Sequence, residues 1–163
     1  MKQGHQYLGQ LGVAYTVNPD GFTLVTDDVV VKERELTELP FRDIVPWEVG
    51  GDFDCNATGL TSLAGAPQSV GGDFDCGHNQ LTSLAGAPQS VGGDFDCTSN
   101  QLTSLAGAPQ SVGGIFSCDS GMLLRAVDEL VSSRAECEAL RAKLAVLRSY
   151  APSVNQVHLE SLD

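Results

Sequence analysis

Asp52, Asp54, Asp73, Asp75, Asp94 and Asp96 recur as three Asp-Phe-Asp triplets 21 residues apart, each within the string Val-Gly-Gly-Asp-Phe-Asp-Cys. Alternate side chains of an extended segment share a face, so each triplet turns its two carboxylates to one side and its Phe and following Cys to the other. If the triplets stack as neighbouring strands, the carboxylates form two columns with ~4.8 Å between coils and ~6.6 Å between columns. That is one charge per ~2.4 Å of axis, against one per ~1.7 Å for duplex DNA. Neighbours down a column repel by about 0.9 kcal/mol each even at the dielectric of water. A basic partner or a cation relieves that repulsion, whereas a solvated face that only maintains solubility gains nothing from like charges set opposite one another. Near-identical copies also follow from duplication alone, and both readings stand at this point.

The cysteines offer a second chemistry. Cys55, Cys76, Cys97 and Cys118 recur at the same interval, while the fifth, Cys137, falls in a helical pattern. Stacked thiols are close enough to meet, yet a column of small apolar side chains facing a core explains the spacing equally simply. There is no CxxC, and His78 is the one histidine nearby, so a zinc site is not expected. Gly-Gly-Asp-Phe-Asp is loosely similar to the nonapeptide of calcium-binding β-rolls, but the period differs and the second Gly-x-Asp element is missing. His5, His78 and His158 are scattered, and no nucleophile, base and orienting acid share a recognisable spacing. We therefore expect no catalytic residue, no metal and no cofactor. The candidate partner-binding residues are the six aspartates and His78, with the variable tetrads Asn56 to Gly59, Gly77 to Gln80 and Thr98 to Gln101 flanking them.

These residues are positioned by a repeat. Val49-Gly-Gly-Asp-Phe-Asp-Cys55 returns at Val70 and Val91, and as Val112-Gly-Gly-Ile-Phe-Ser-Cys118. Leu-Thr-Ser-Leu-Ala-Gly-Ala-Pro-Gln-Ser begins at Leu60, Leu81 and Leu102. A fixed period of this size marks a solenoid, in which one unit cannot close a core and neighbours must stack. Phe and Cys point inward with Leu81, Leu84 and Val91, while Gly86, Pro88 and the Gly92-Gly93 pair permit the bends.

The order Phe-x-Cys-x-x-Asn-x-Leu-x-x-Leu, as in Phe74, Cys76, Asn79, Leu81 and Leu84, resembles the leucine-rich-repeat family. The similarity is to its short repeats of the form L-T-S-L-x-G-x-P-x-x-V-x-G-x-F-x-C, known from phage and bacterial proteins, and it spans about Val49 to Leu123. The resemblance implies a short parallel strand at Phe-x-Cys on a concave face, a turn-capping Asn at positions 79 and 100, and a recognition role. Thr58 takes the Asn position in the first copy.

Beyond the near-identical copies, Val29, Val31 and Leu36 keep the offsets of Phe, Cys and Leu, a degenerate first coil joined to the next through Pro40, Pro46 and Trp47. Upstream, Tyr15-Thr16-Val17 and Phe22-Thr23-Leu24-Val25 flank Asn18-Pro19-Asp20-Gly21 as a hairpin. At the other end Gly121 replaces the Asn, and Met122, Leu123, Val127, Leu130 and Val131 follow a helical stripe, with a second one at Cys137, Leu140, Leu144 and Leu147. Ser133 and Glu136 form a capping box between them. The fold class is α+β: a leucine-rich-repeat solenoid with short parallel strands, an N-terminal β-hairpin cap and a C-terminal helical cap. Its expected parts are 1–48, cap and degenerate coil; 49–120, the repeat array; 121–152, the helical cap; and 153–163, a tail.

The chain carries 21 acidic and 9 basic residues for a net charge of −12, with no Lys or Arg between Arg42 and Arg125. Such a balance argues against direct nucleic-acid binding, which needs cations against phosphates. No run approaches the ~18 apolar residues of a membrane span, and the start of the chain, broken by Gly9, Gln10 and Gly12, lacks the apolar stretch of a signal peptide. A cytoplasmic, non-enzymatic module offering an acidic strip to a basic protein is the expected function, in the manner of a phage protein acting on a host protein. Two alternatives remain: an inhibitor that mimics a nucleic-acid backbone, and an assembly protein that self-associates through Leu140, Leu144 and Leu147.

Overall fold

A computed structural model describes residues 2–33 and 35–119. The expected C-terminal helical cap and tail, with Leu140, Leu144 and Leu147, lie outside the described residues. In chain order the elements are α1 (Gln3–Gln10), β1 (Tyr15–Val17), β2 (Thr23–Val25), β3 (Val29–Val30), β4 (Trp47–Val49), β5 (Phe53–Asp54), β6 (Ser69–Val70), β7 (Phe74–Asp75), β8 (Ser90–Val91), β9 (Phe95–Asp96), β10 (Ser111–Val112) and β11 (Phe116–Ser117). Among the described residues, stacking of the 21-residue units gives a β-solenoid of about four turns with one short helix.

Two sheets run along the solenoid. One is the Phe-Asp sheet anticipated from the repeat, in the order β11-β9-β7-β5-β3, all parallel, with Phe53↔Phe74↔Phe95↔Phe116 and Asp54↔Asp75↔Asp96 in register. The degenerate first coil joins it as expected, Val29 pairing with Phe53 and the Val31 N–H donating to the Asp54 carbonyl at 2.8 Å. The second sheet, β1-β2-β4-β6-β8-β10, is built on the Ser-Val dipeptides and was not anticipated. Its strands are two or three residues long, too short to leave an alternation in the sequence. The hairpin forms as expected, β1 antiparallel to β2, and β2 continues as a parallel neighbour of β4.

Between the sheets lies a ladder of aromatic rings. Phe53, Phe74, Phe95 and Phe116 stack with centroids 5.3, 5.4 and 5.1 Å apart, spacings within the range favoured by offset rings. Trp47 and Phe41 continue the ladder toward the N-terminus, and Tyr7 of α1 meets Phe41 edge-on at 5.4 Å. Cys55, Cys76, Cys97, Leu60, Leu63, Leu81 and Leu84 are buried around it. Helix α1 was not anticipated, because its glycines hide a stripe of two residues, Tyr7 and Leu8, both buried. The Asp43 carboxylate accepts the N–H groups of Gln3 and Gly4 at its start, where helices favour negative charge.

The Gly-Gly pairs do something other than permit bends. The glycines with positive φ in the repeats are Gly59, Gly65, Gly86 and Gly107, not the pairs. A Cβ on Gly71 would lie 2.2 Å from the Gly50 carbonyl oxygen, and one on Gly92 would lie 2.1 Å from that of Gly71. Glycine is required there because successive coils meet backbone to backbone.

Candidate interaction surface

The six aspartates are brought together in two columns, as their spacing implies. Asp52, Asp73 and Asp94 are exposed, and Asp54, Asp75 and Asp96 are half-buried on the outer face of the Phe-Asp sheet. Their first carboxylate oxygens are all engaged by backbone. In the first column each Oδ1 accepts the N–H of the residue one coil further on: Asp52 from Asp73 at 2.8 Å, Asp73 from Asp94 at 2.7 Å, and Asp94 from Ile115 at 2.7 Å. The carboxylate reaches that N–H over the second glycine of the pair, since a Cβ on Gly72 would sit 1.9 Å from Asp52 Oδ1 and one on Gly93 2.0 Å from Asp73 Oδ1. Gly-Gly-Asp is thus one device: two side-chain-free positions allow the coils to close up, and the carboxylate ties them.

In the second column each Oδ1 accepts the N–H two residues on, Asp54 from Asn56, Asp75 from Gly77 and Asp96 from Thr98, all at 2.8 Å. These are Asx turns that end the strands. Asp75 also receives the Asn56 amide at 3.2 Å on both oxygens. The result is a set of carboxylates held in fixed orientation by the coil backbone. Across residues 43–119 no Lys or Arg accompanies them, while Asp43, Glu48 and Asp119 add to the negative charge.

Sequence reasoning missed two members. Asp28 caps the Asp52 N–H at 2.9 Å, in the same role one coil earlier. The Val29 to Phe53 register already implied it, since residue 28 then aligns with residue 52. Asp119 accepts the N–H groups of Ser99 and Asn100. His78 is exposed at φ 52°, the left-handed position that Ala57 and Ser99 occupy in their coils, and its N–H donates to the Thr98 carbonyl at 2.9 Å. None of the hydrogen bonds described for the aspartates involves it.

The turn-capping asparagines act as the family resemblance implied. Asn79 Oδ1 accepts from the N–H groups of Thr58, Gly59 and Leu60 at 2.8–3.2 Å, and its amide donates to the carbonyls of Cys55, Cys76 and Gly77. Asn100 repeats the pattern with Leu81, Cys76, Cys97 and Thr98. Thr58 substitutes in part, its hydroxyl donating to the Cys55 carbonyl at 2.8 Å.

Cys55, Cys76 and Cys97 are buried, and each thiol points to the carbonyl of the next coil, that of Asp75, Asp96 or Ser117, at 3.3 Å. Burial pushes all three thiols well above their ordinary range, with the neighbouring carboxylates acting in the same direction. Neutral thiols facing a core are poor nucleophiles and poor ligands. Among the described residues, no group of three His, Cys, Asp or Glu is arranged to hold a metal ion, and no helix is long and apolar enough to cross a membrane. Comparison with known protein families, with characterised proteins and with solved structures returns no match to this chain.

Proposed function

We propose that the chain is a non-enzymatic interaction module whose two aspartate columns meet a basic surface on a partner protein. The observation that carries this reading is the surplus of charge over structural need. Each aspartate does bind backbone through Oδ1, but an asparagine oxygen would accept the same N–H without the repulsion of stacked carboxylates. Structure explains the acceptor and leaves the charge unexplained. Oxygens fixed by the coil backbone also lose little freedom on binding, which favours affinity.

The finer reading of the repeat belongs to the same proposal. Inward Phe and Cys, a capping Asn and buried leucines are the features of leucine-rich repeats, a recognition scaffold. On this reading α1 with the β1–β2 hairpin covers the N-terminal end of the core.

The test is affinity capture from a lysate of the cells in which the protein acts, comparing the parent with the Asp52→Asn, Asp73→Asn, Asp94→Asn triple variant. The proposal expects a basic protein retained by the parent at low salt, released at high salt and lost from the variant. Identical retention on both would overturn it.

A further inference from the structure

Beside the acidic columns, on the outer face of the Ser-Val sheet, runs a shallow trough of about 510 Å³ that crosses four successive coils. Its wall is a ladder of serines, Ser69, Ser90 and Ser111, paired in register and continued by Glu48. Its floor is the first glycine of each pair, including Gly71 and Gly92, where no side chain can stand. Ser69 and Ser90 are half-buried and Ser111 is exposed, so hydroxyl donors and acceptors repeat along the trough at ~4.8 Å. On the far side of the glycines lies the Asp52, Asp73 and Asp94 column, with the Asp52 carboxylate lying over Gly72 next to the floor.

We propose that this trough seats an extended lysine-rich peptide segment, running along the solenoid axis. The inference rests on the acidic-strip reading and specifies the form of the partner. Lysine has the shape required: an aliphatic stem that lies along the glycine floor and an ammonium that reaches toward the carboxylates beside it. The peptide backbone supplies groups for the serine hydroxyls. Length agrees as well, since three coil steps from Glu48 to Ser111 cover ~14 Å and four extended residues cover ~13 Å. A glycine floor is also what allows a main chain to approach this closely.

The experiment titrates the full chain with N-acetyl-tetralysine amide and with spermine, each carrying about four positive charges at neutral pH. It uses the parent, Ser90→Trp, which fills the trough without altering charge, and Asp73→Asn, which alters charge and leaves the trough open. The inference expects the peptide to bind the parent at least tenfold more tightly than spermine does. It also expects Ser90→Trp to weaken the peptide tenfold or more, and Asp73→Asn to weaken it a few-fold. Peptide binding to Ser90→Trp as tight as to the parent, with Asp73→Asn weakened, would sink the trough and leave the acidic strip standing. Binding unaffected by either change, or absent from the parent, would remove both. Spermine binding as tightly as the peptide would show that the occupant is not a peptide. If Ser90→Trp does not fold by its melting transition, Ser111→Trp, at the exposed end of the same ladder, takes its place.

Discussion

Replacing Gly72 by Ala tests whether Gly-Gly-Asp acts as one device. The new Cβ would stand 1.9 Å from Asp52 Oδ1 and 3.0 Å from the Gly51 carbonyl, so the carboxylate must leave and the Asp73 N–H loses its partner. That N–H is exposed and water can replace the carboxylate, which puts the lost bond near the lower end, at about 1–1.5 kcal/mol. Residual crowding against Gly51 adds about 1–3 kcal/mol. The expected cost is therefore roughly 2–4 kcal/mol, a large part of the ~5–15 kcal/mol that holds a domain together. In an Asp52→Ala background the colliding atom is gone, so the same change should cost less by about 1–2 kcal/mol, a coupling that urea denaturation of the four proteins of the cycle resolves. Gly71→Ala supplies the control, because it meets the Gly50 carbonyl at 2.2 Å and removing Asp52 cannot relieve that. Additive energies for Gly72→Ala and Asp52→Ala, within ~0.5 kcal/mol, would refute the arrangement.

Other outcomes follow from the same geometry. Phe74→Ala, in the middle of the ring ladder, should cost about 3–5 kcal/mol in chemical denaturation, and an unchanged midpoint would contradict its inward placement. Ala57→Gly should raise stability by up to ~1 kcal/mol by relieving a left-handed backbone at an exposed residue, and a lower melting temperature would count against the φ of 55°. Cys55, Cys76 and Cys97 should resist a thiol reagent in the native protein and react together on denaturation. Their folded-state pKa values are raised, so above the ordinary value of 9.0 the unfolded chain releases protons that the native state keeps, and stability should fall as pH rises further. A flat stability profile from pH ~8 to ~10.5 would contradict their burial.

What the sequence disclosed was what repeats and alternates. Phe74 and Cys76 could be placed inward and Asp73 and Asp75 outward from the period-2 pattern alone, and Val29 could be aligned with Phe53 from its offset. The Asn79 role came from the family resemblance. The Ser-Val sheet stayed hidden because a two-residue strand has no period, and its pairing depends on where the next coil lies. For the same reason Gly71 and Gly72 read as bend formers when their role is contact between coils. The hydrogen bonds of Asp52, Asp73 and Asp94 are made to residues 21 positions away, a relation fixed by the stacking offset and not by any local pattern. Helix α1 escaped because Gly4 and Gly9 flank its short apolar stripe, and what holds it, Asp43, comes from a distant loop.

The charge of the aspartate columns is the claim on which the functional account stands. The direct measurement is the association rate of the parent and of the Asp52→Asn, Asp73→Asn, Asp94→Asn variant with the captured basic partner, over a series of salt concentrations. Asn retains the oxygen that accepts the next coil's N–H, so the fold should persist while three charges are lost. The parent should associate faster at low salt, and its rate should fall more steeply as salt rises. Equal rates for the two proteins across the whole series would contradict it and reduce the columns to solvated ties between coils.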